Sequence, residues 1–244
     1  MQDNSENNGL IRLQVFLSHC GVASRRASEQ IILDSRVCVN GKIITSLGTK
    51  VSPEDEVLVD GKRIFPEEKK RYILMYKPKG YLSSSKDERG RLCALDLLRE
   101  KYSERLYNVG RLDMFSQGLL IFTNDGDFTS KLSHPSSELE KEYIVDSSQD
   151  LPDDLAEKFE KGVRIDGVFY KCKKAQKIKS RRMRIILIEG KNREIRKVFS
   201  SENVHIRRLV RIRIGNISAG NMKPGDFREL TESEVSSLLN LCFR

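Results

Sequence analysis

Beginning at Tyr72, the sequence returns six times to a short apolar run bounded by turn or polar residues: "RYILMYKPKGYLSS", "LYNVGRLD", "GLLIFTNDG", "EKEYIVDSS", "RRMRIILIEG" and "LVRIRIGNI". Runs of this length, rich in Ile, Leu, Val and Tyr, predict strands, and a chain with so many of them must pair them into a sheet. Helical patterns fall between the runs, at "LCALDLLREKY", "DFTSKLSH", "DDLAEKFEKG" and "REIRKVFSSEN". The last is amphipathic, with Ile195, Val198 and Phe199 on one side and Arg193, Arg196 and Lys197 on or near the other. This mixture predicts an α+β domain over residues 71–244, built on a central mixed, mainly antiparallel sheet flanked by helices.

Residues 10–65 read as a smaller α+β module of their own, two helices followed by β-hairpins. "IRLQVFLSHC" places Ile11, Leu13, Phe16 and Leu17 at near-helical spacing, and "GVASRRASEQIILDS" opens a second helix with Ser24 as its N-cap. "RVCVNGKII" and "EVLVDGKRI" each carry the Asn-Gly or Asp-Gly pair favoured by two-residue hairpins. Pro66 and "EEKKR" mark the linker. Arg25 and Arg26 fall in the first turn of the second helix, where positive charge opposes the helix dipole. A contact outside the helix, such as an RNA phosphate, is therefore expected of them.

The net charge of +9 is unevenly spread. Between Lys171 and Arg213 there are 16 Lys and Arg against Glu189, Glu194 and Glu202, so the rest of the chain is net acidic. Such a segment predicts a polyanionic partner, nucleic acid first. Five scattered cysteines without a C-x-x-C pair, and histidines at 19, 134 and 205, signal neither a disulfide framework nor a zinc site. No unbroken apolar window is long enough to span a membrane, and "MQDNSENNG" reads as a polar tail rather than a signal peptide, so a cytoplasmic location is expected. Calcium loops, glycine-rich phosphate cradles and Ser-His-Asp orders find no match.

One carboxylate stands out. In "NVGRLDMFSQGLLIFTNDGD", Asp113 precedes the apolar run Leu119–Phe122, with Arg111 two residues before it. A carboxylate buried against such a strand is costly unless something pairs with it or uses it; by itself "GRLD" would be a turn. "GRLDMFSQGLLIFTNDGD", "KEYIV" and "EGKNREIRKVF", with "YKPKG" at 76–80 and "NMKPGDFREL" near the end, together resemble the bacterial ribosomal RNA pseudouridine synthase family, in the branch named after the RsuA and RluB enzymes. "RLQVFLSHCGVASRRASEQIILDSRVCVNGKII" resembles the alpha-L RNA-binding motif of ribosomal protein S-four, with Gln14 where an acidic residue is common. "NREIR" is more similar to the large-subunit (23S) members than to the small-subunit ones.

The resemblance implies an isomerisation needing no cofactor and no metal. The bond from the anomeric carbon to N1 of uracil breaks, the base turns, and it rejoins through C5, the C5 proton leaving and N1 taking one up. Asp113 matches the catalytic carboxylate, which either attacks the anomeric carbon or first removes a ribose proton. Arg196 matches its basic partner, favouring the charged form, and Tyr143 the ring that lies against the target base. Arg111 is expected at the pocket mouth, filling the place of a flipped nucleotide or gripping its phosphate, and Lys191 and Arg193 along the RNA path. Gly110 and Gly118 either permit close backbone approach or are ordinary turn residues, and Leu119–Phe122 would form the floor under Asp113. The implied partner is ribosomal RNA, 23S, or a pre-ribosomal particle, with the protein acting as a monomer and touching no membrane. A 16S enzyme of the same family and a non-catalytic RNA-binding assembly protein are the alternatives.

Overall fold

The computed structural model describes residues 9–242, so the stretch "MQDNSENN" lies outside the described residues. The chain divides into two compact units that meet at Lys70 and Arg71.

The first unit runs β1 (Ile11–Arg12), α1 (Leu13–His19), α2 (Arg25–Leu33), β2 (Val37–Val39), β3 (Lys42–Ile44), β4 (Lys50–Val51), β5 (Val57–Val59) and β6 (Lys62–Arg63). Ile11, placed in the first helix by its spacing, instead pairs with Val51 across the β1–β4 ladder, and the helix starts at Leu13. Ser24 caps α2, its hydroxyl accepting from the Ala27 amide at 3.2 Å. Asn40-Gly41 (φ +49° and +79°) and Asp60-Gly61 (φ +50° and +76°) are left-handed at both central positions, as type I′ hairpins require. They join β2 to β3 and β5 to β6 in a sheet of order β3-β2-β5-β6. Leu13, Phe16, Leu17 and Ile32 from the helices share one core with Val37, Val57 and Val59 from the sheet.

The second unit begins with β7 (Tyr72–Lys77), β8 (Tyr107–Val109), β9 (Gln117–Thr123) and α3 (Gly126–Ser133). It continues through β10 (Lys141–Ser147), α4 (Leu155–Lys161), a hairpin of β11 (Val163–Ile165) and β12 (Val168–Tyr170), β13 (Lys174–Lys179) and β14 (Arg182–Leu187). α5 (Glu194–Ser201), β15 (Ile206–Ile214), β16 (Ile217–Ser218), β17 (Phe227–Glu229) and α6 (Glu232–Leu241) complete it. "LCALDLLREKY" supplies only a 3₁₀ turn at Ala94–Leu98. The main sheet has the order β13-β14-β10-β15-β9-β7-β17, with β16 added on β15 and β8 on β9. Its pairs are antiparallel except β9–β15, which are parallel at Val210↔Gln117 and Arg211↔Gly118. The unit is thus α+β with a mixed, mainly antiparallel sheet.

The absence of alternation in "GLLIF" has a direct cause: β9 is covered on both faces. Leu119 and Ile121 pack towards α3 and α6, while Leu120 and Phe122 pack on the 3₁₀ turn with Ile73 and Met75. The other half of the sheet, around Tyr143 and Val145, is covered by α4 and α5 through Leu155, Phe159, Ile195, Val198 and Phe199. Among the described residues no helix is long and apolar enough to cross a membrane.

Candidate active site

Asp113 sits in the loop that joins β8 to β9, and that loop is held from behind by "YKPKG". Lys77, fully buried at the end of β7, donates from Nζ to the carbonyls of Pro78 (2.9 Å) and Tyr81 (2.7 Å), with the Met114 carbonyl at 3.4 Å. The Gly80 amide donates to the same Met114 carbonyl at 2.8 Å. Burial pushes the Lys77 ammonium down to about 8, against the pull of Asp113 and with a further push from Arg211. Ser83 completes the brace, its hydroxyl donating to the Leu112 carbonyl at 2.9 Å and accepting from the Leu112 amide at 3.1 Å. The loop then turns, Ser116 N donating to Asp113 O at 2.9 Å, and enters β9 at Gln117.

The two glycines play different parts. Gly118 has φ +108°, and a Cβ there would fall on the carbonyl oxygen of Arg211, so only glycine lets β9 and β15 approach. Gly110 has φ +69° with open space around it and is a turn residue.

The expected pair of Asp113 and Arg196 is present, with the burdens reversed. Arg196 Nε lies 3.4 Å from Asp113 Oδ2, and Nη2 donates to the Phe115 carbonyl (3.1 Å) and to Ser116 Oγ (3.0 Å). The Asp113 side chain is 31% exposed, that of Arg196 only 16%. Asp113 is therefore at the edge of the cleft rather than buried, and the desolvation falls on the guanidinium. Burial pushes the Arg196 pKa down, and the charge of Asp113 opposes that push. Arg196 Nε, though buried, has no hydrogen-bond partner. The pair is held by charge and by the anchored guanidinium, leaving the carboxylate oxygens open to the cleft.

Arg111, Asp113, Tyr143, Lys191, Arg193 and Arg196 all line one pocket of about 90 Å³. Leu112, Leu187, Ile195 and Leu209 supply its apolar lining. The run Leu119–Phe122, expected as the floor, is buried within the sheet behind the loop and positions it instead. A wider cleft of about 580 Å³ shares Arg111, Asp113, Lys191 and Arg193 and is walled by Ser84, Asp87 and Arg91. Tyr143, 8% exposed, lies on β10 opposite Ile185 and Arg211. Arg193 has a left-handed φ of +51° and precedes α5, which starts at Glu194 and not at Arg193 as the pattern suggested. Lys191 Nζ donates to the Phe169 carbonyl at 2.9 Å and pairs with Glu189 at 3.3 Å, so part of its charge is already engaged. Arg25 and Arg26 are exposed on α2 and belong to the first unit.

Lys77, Ser83, Ser116 and Arg211 shape the site without having been singled out by sequence. Lys77 had a signal, a lone charge closing an apolar run before Pro78; the serines had none, since loop serines are commonplace.

The chain is thus a small hairpin-and-helix module followed by a mixed-sheet unit, whose cleft gathers the open Asp113 carboxylate, a tyrosine and several arginines. Residues 71–201 match the RNA pseudouridylate synthase family and residues 11–57 match the S4 domain. The chain belongs to the RNA pseudouridylate synthase family and carries an S4 RNA-binding domain in front of the synthase domain. It is 39% identical over 231 residues to an RNA pseudouridine synthase of Borreliella burgdorferi, covering 93% of this chain and 92% of that one. To the ribosomal large subunit pseudouridine synthase B of Bacillus subtilis it is 37% identical over 233 residues, covering 93% and 95%. A solved pseudouridylate synthase shares the fold with a TM-score of 0.69 at 23% identity, covering 93% of this chain and 99% of that one.

Proposed function

We propose that the enzyme converts a uridine of large-subunit (23S) ribosomal RNA to pseudouridine, with Asp113 as the group that reacts with the nucleotide. The observation that carries the reading is the Asp113 carboxylate itself, ion-paired to an anchored Arg196 and open to a pocket that Tyr143 also lines. Attack on the anomeric carbon and removal of a ribose proton are both carboxylate chemistry, and Arg196 holds the Asp113 side chain in place for it. The Tyr143 ring is of a kind that stacks on a detached uracil, and the apolar side chains of the pocket keep water from it while it turns. The C1′–N1 bond breaks, the C1′–C5 bond forms, the proton on C5 leaves and N1 takes one up, so the composition of the nucleotide is unchanged. Arg111, Lys191 and Arg193 grip the RNA at the mouth, and Arg25 and Arg26 hold phosphates elsewhere on it. The large-subunit target is supported by the Bacillus subtilis relative's name and by "NREIR".

Tritium release from ribosomal RNA labelled at C5 of uridine tests the reading. Wild type is expected to release tritium from large-subunit RNA, and Asp113→Asn to be slower by roughly a thousandfold or more. Its RNA affinity is expected to persist, because phosphate contacts dominate binding. Release from small-subunit RNA alone would move the target to 16S; none from either RNA or from pre-ribosomal particles would sink the proposal. Mapping pseudouridines in cells lacking the protein then names the nucleotide.

A further inference from the structure

Behind the Asp113 pocket lies a second, more enclosed cavity of about 190 Å³. Its polar lining comes chiefly from Lys141, Arg211, Arg111, Tyr143 and Ser133, and among the described residues no carboxylate lines it. Arg111, Tyr143 and Gly190 line both cavities, so a group held here is next to one held beside Asp113. Arg211 is only 5% exposed; its Nε donates to the Leu119 carbonyl at 2.6 Å, while its buried Nη2 has no partner. Lys141 Nζ is fixed by one bond, to the Ile188 carbonyl at 2.7 Å. Two cations confined together with an unsatisfied guanidinium N–H make a costly arrangement in the absence of an anion. The chain bears the mark of that cost: burial first and Arg211 second push the Lys141 ammonium down to about 8, against the weaker pull of Cys242 and Glu189.

We propose that this cavity is an anion subsite, which takes a phosphate group attached to the ribose of the target uridine between Lys141 and the free Nη2 of Arg211. Such a phosphate satisfies the orphaned N–H, offsets both cations and pins the sugar while the base turns; guanidinium groups suit phosphate oxygens in this way. Arg111, shared between the two cavities, spans the step from sugar to phosphate. The inference rests on the reading of Asp113 and its pocket as the place where the uridine reacts.

Calorimetric titration of the full-length protein with uridine, uridine 3′,5′-bisphosphate and inorganic phosphate tests it. The bisphosphate is expected to bind about tenfold or more tighter than uridine, the yield of one or two charge-assisted hydrogen bonds. Lys141→Gln is expected to remove most of that gain and to leave uridine's own affinity in place. Equal affinities of uridine and bisphosphate for wild type, or a gain that Lys141→Gln leaves intact, overturn the proposal. Inorganic phosphate binding as tightly as the bisphosphate would make this a site for a free anion and overturn it too. Should Lys141→Gln fail to fold, ¹⁵N NMR of Lys141 Nζ in wild type decides: its titration midpoint, near 8 in the free protein, must rise when the bisphosphate is added, and no rise counts against the site. Absence of tritium release would remove the isomerase reading while leaving these binding outcomes to be read separately.

Discussion

At the scale of single residues, burial at the candidate site falls mostly on cations, while the Asp113 carboxylate stays half-open. Asp113 precedes a strongly apolar strand, yet it is Lys77, Lys141, Arg196 and Arg211 that burial penalises, with Glu194 the buried carboxylate beside them. Lys77 gives this a pH signature. Its folded pKa, about 8, lies below the ordinary 10.5, so the unfolded chain binds the proton more tightly than the folded one. Protonation therefore favours unfolding, and the Lys77 contribution to stability rises as pH climbs from about 8 towards 10.5. Cys20 and Cys172 act the other way: burial pushes both thiols up to about 12 from 9.0, so unfolded thiols ionise first and stability falls above pH 9. The window that isolates the lysines is hence about pH 7.5 to 9. Urea denaturation across it should show Lys77→Met with a flatter dependence than wild type, the slopes differing by at most about 1.4 kcal/mol per pH unit. Parallel curves would mean that Lys77 is not the group that titrates.

At the scale of elements, the join between β9 and β15 decides whether the site exists. Gly118 lets the two strands meet where Arg211 turns its Nε to the Leu119 carbonyl, and the 113–116 loop hangs from the same point. Gly118→Ala must move backbone rather than a flexible side chain and also adopt φ +108°, so a loss of about 3 kcal/mol or more is expected. Gly110→Ala faces only the positive φ in open space, and about 1–2 kcal/mol is expected. Chemical denaturation of the two variants separates them; similar losses would show that the close approach is not what Gly118 provides. Sequence could not tell these glycines apart, because the contact that distinguishes them comes from Arg211, far along the chain. Elsewhere legibility followed burial. The apolar runs of β7, β9, β10, β14 and β15 announced themselves, as did both Asx-Gly hairpins of the first unit. β13 did not: "KAQKIK" is an edge strand with only Ala175 buried, so four of its six residues are polar. α6 is not among the expected helices, although Thr231 and Glu234 form a capping box that "TESE" encodes. Asp113, Tyr143, Lys191, Arg193 and Arg196 were named from motif context, and their convergence on one pocket needed the fold.

At the scale of the whole molecule, net charge overstates what is available to RNA. The 16 cations between Lys171 and Arg213 predict a broad phosphate-binding face, but β10 lies between β14 and β15, and it and the residues flanking it bring acidic side chains to them. Glu140, Glu142, Asp146, Asp150 and Asp153 pair with Lys173, Lys177, Arg181, Arg182, Arg184 and Arg213. Arg196 and Arg211 are committed within the site, while Lys174, Lys179, Arg193, Arg207 and Arg208 make no ion pair among the described residues. A surplus read along the chain is thus partly cancelled by cross-strand pairing that only the sheet order reveals. The first unit shows the same distinction on a smaller scale. Arg36 is locked to Asp60 by two hydrogen bonds, at 2.8 and 2.6 Å, whereas Arg25 and Arg26 are exposed and make no ion pair among the described residues. If the latter two contact phosphates, each contributes about 0.7 to 0.9 to the slope of log affinity against log salt through the counterions it displaces. Replacing both with Gln should therefore lower the magnitude of that slope by about 1.4 to 1.8, measured by filter binding to deproteinised large-subunit ribosomal RNA. The affinity curves of wild type and the double variant should converge as salt rises, since lost counterion release matters least there. Arg36→Gln should leave the slope as it was. A double variant with the wild-type slope would remove Arg25 and Arg26 from the RNA interface and leave phosphate binding to the synthase domain.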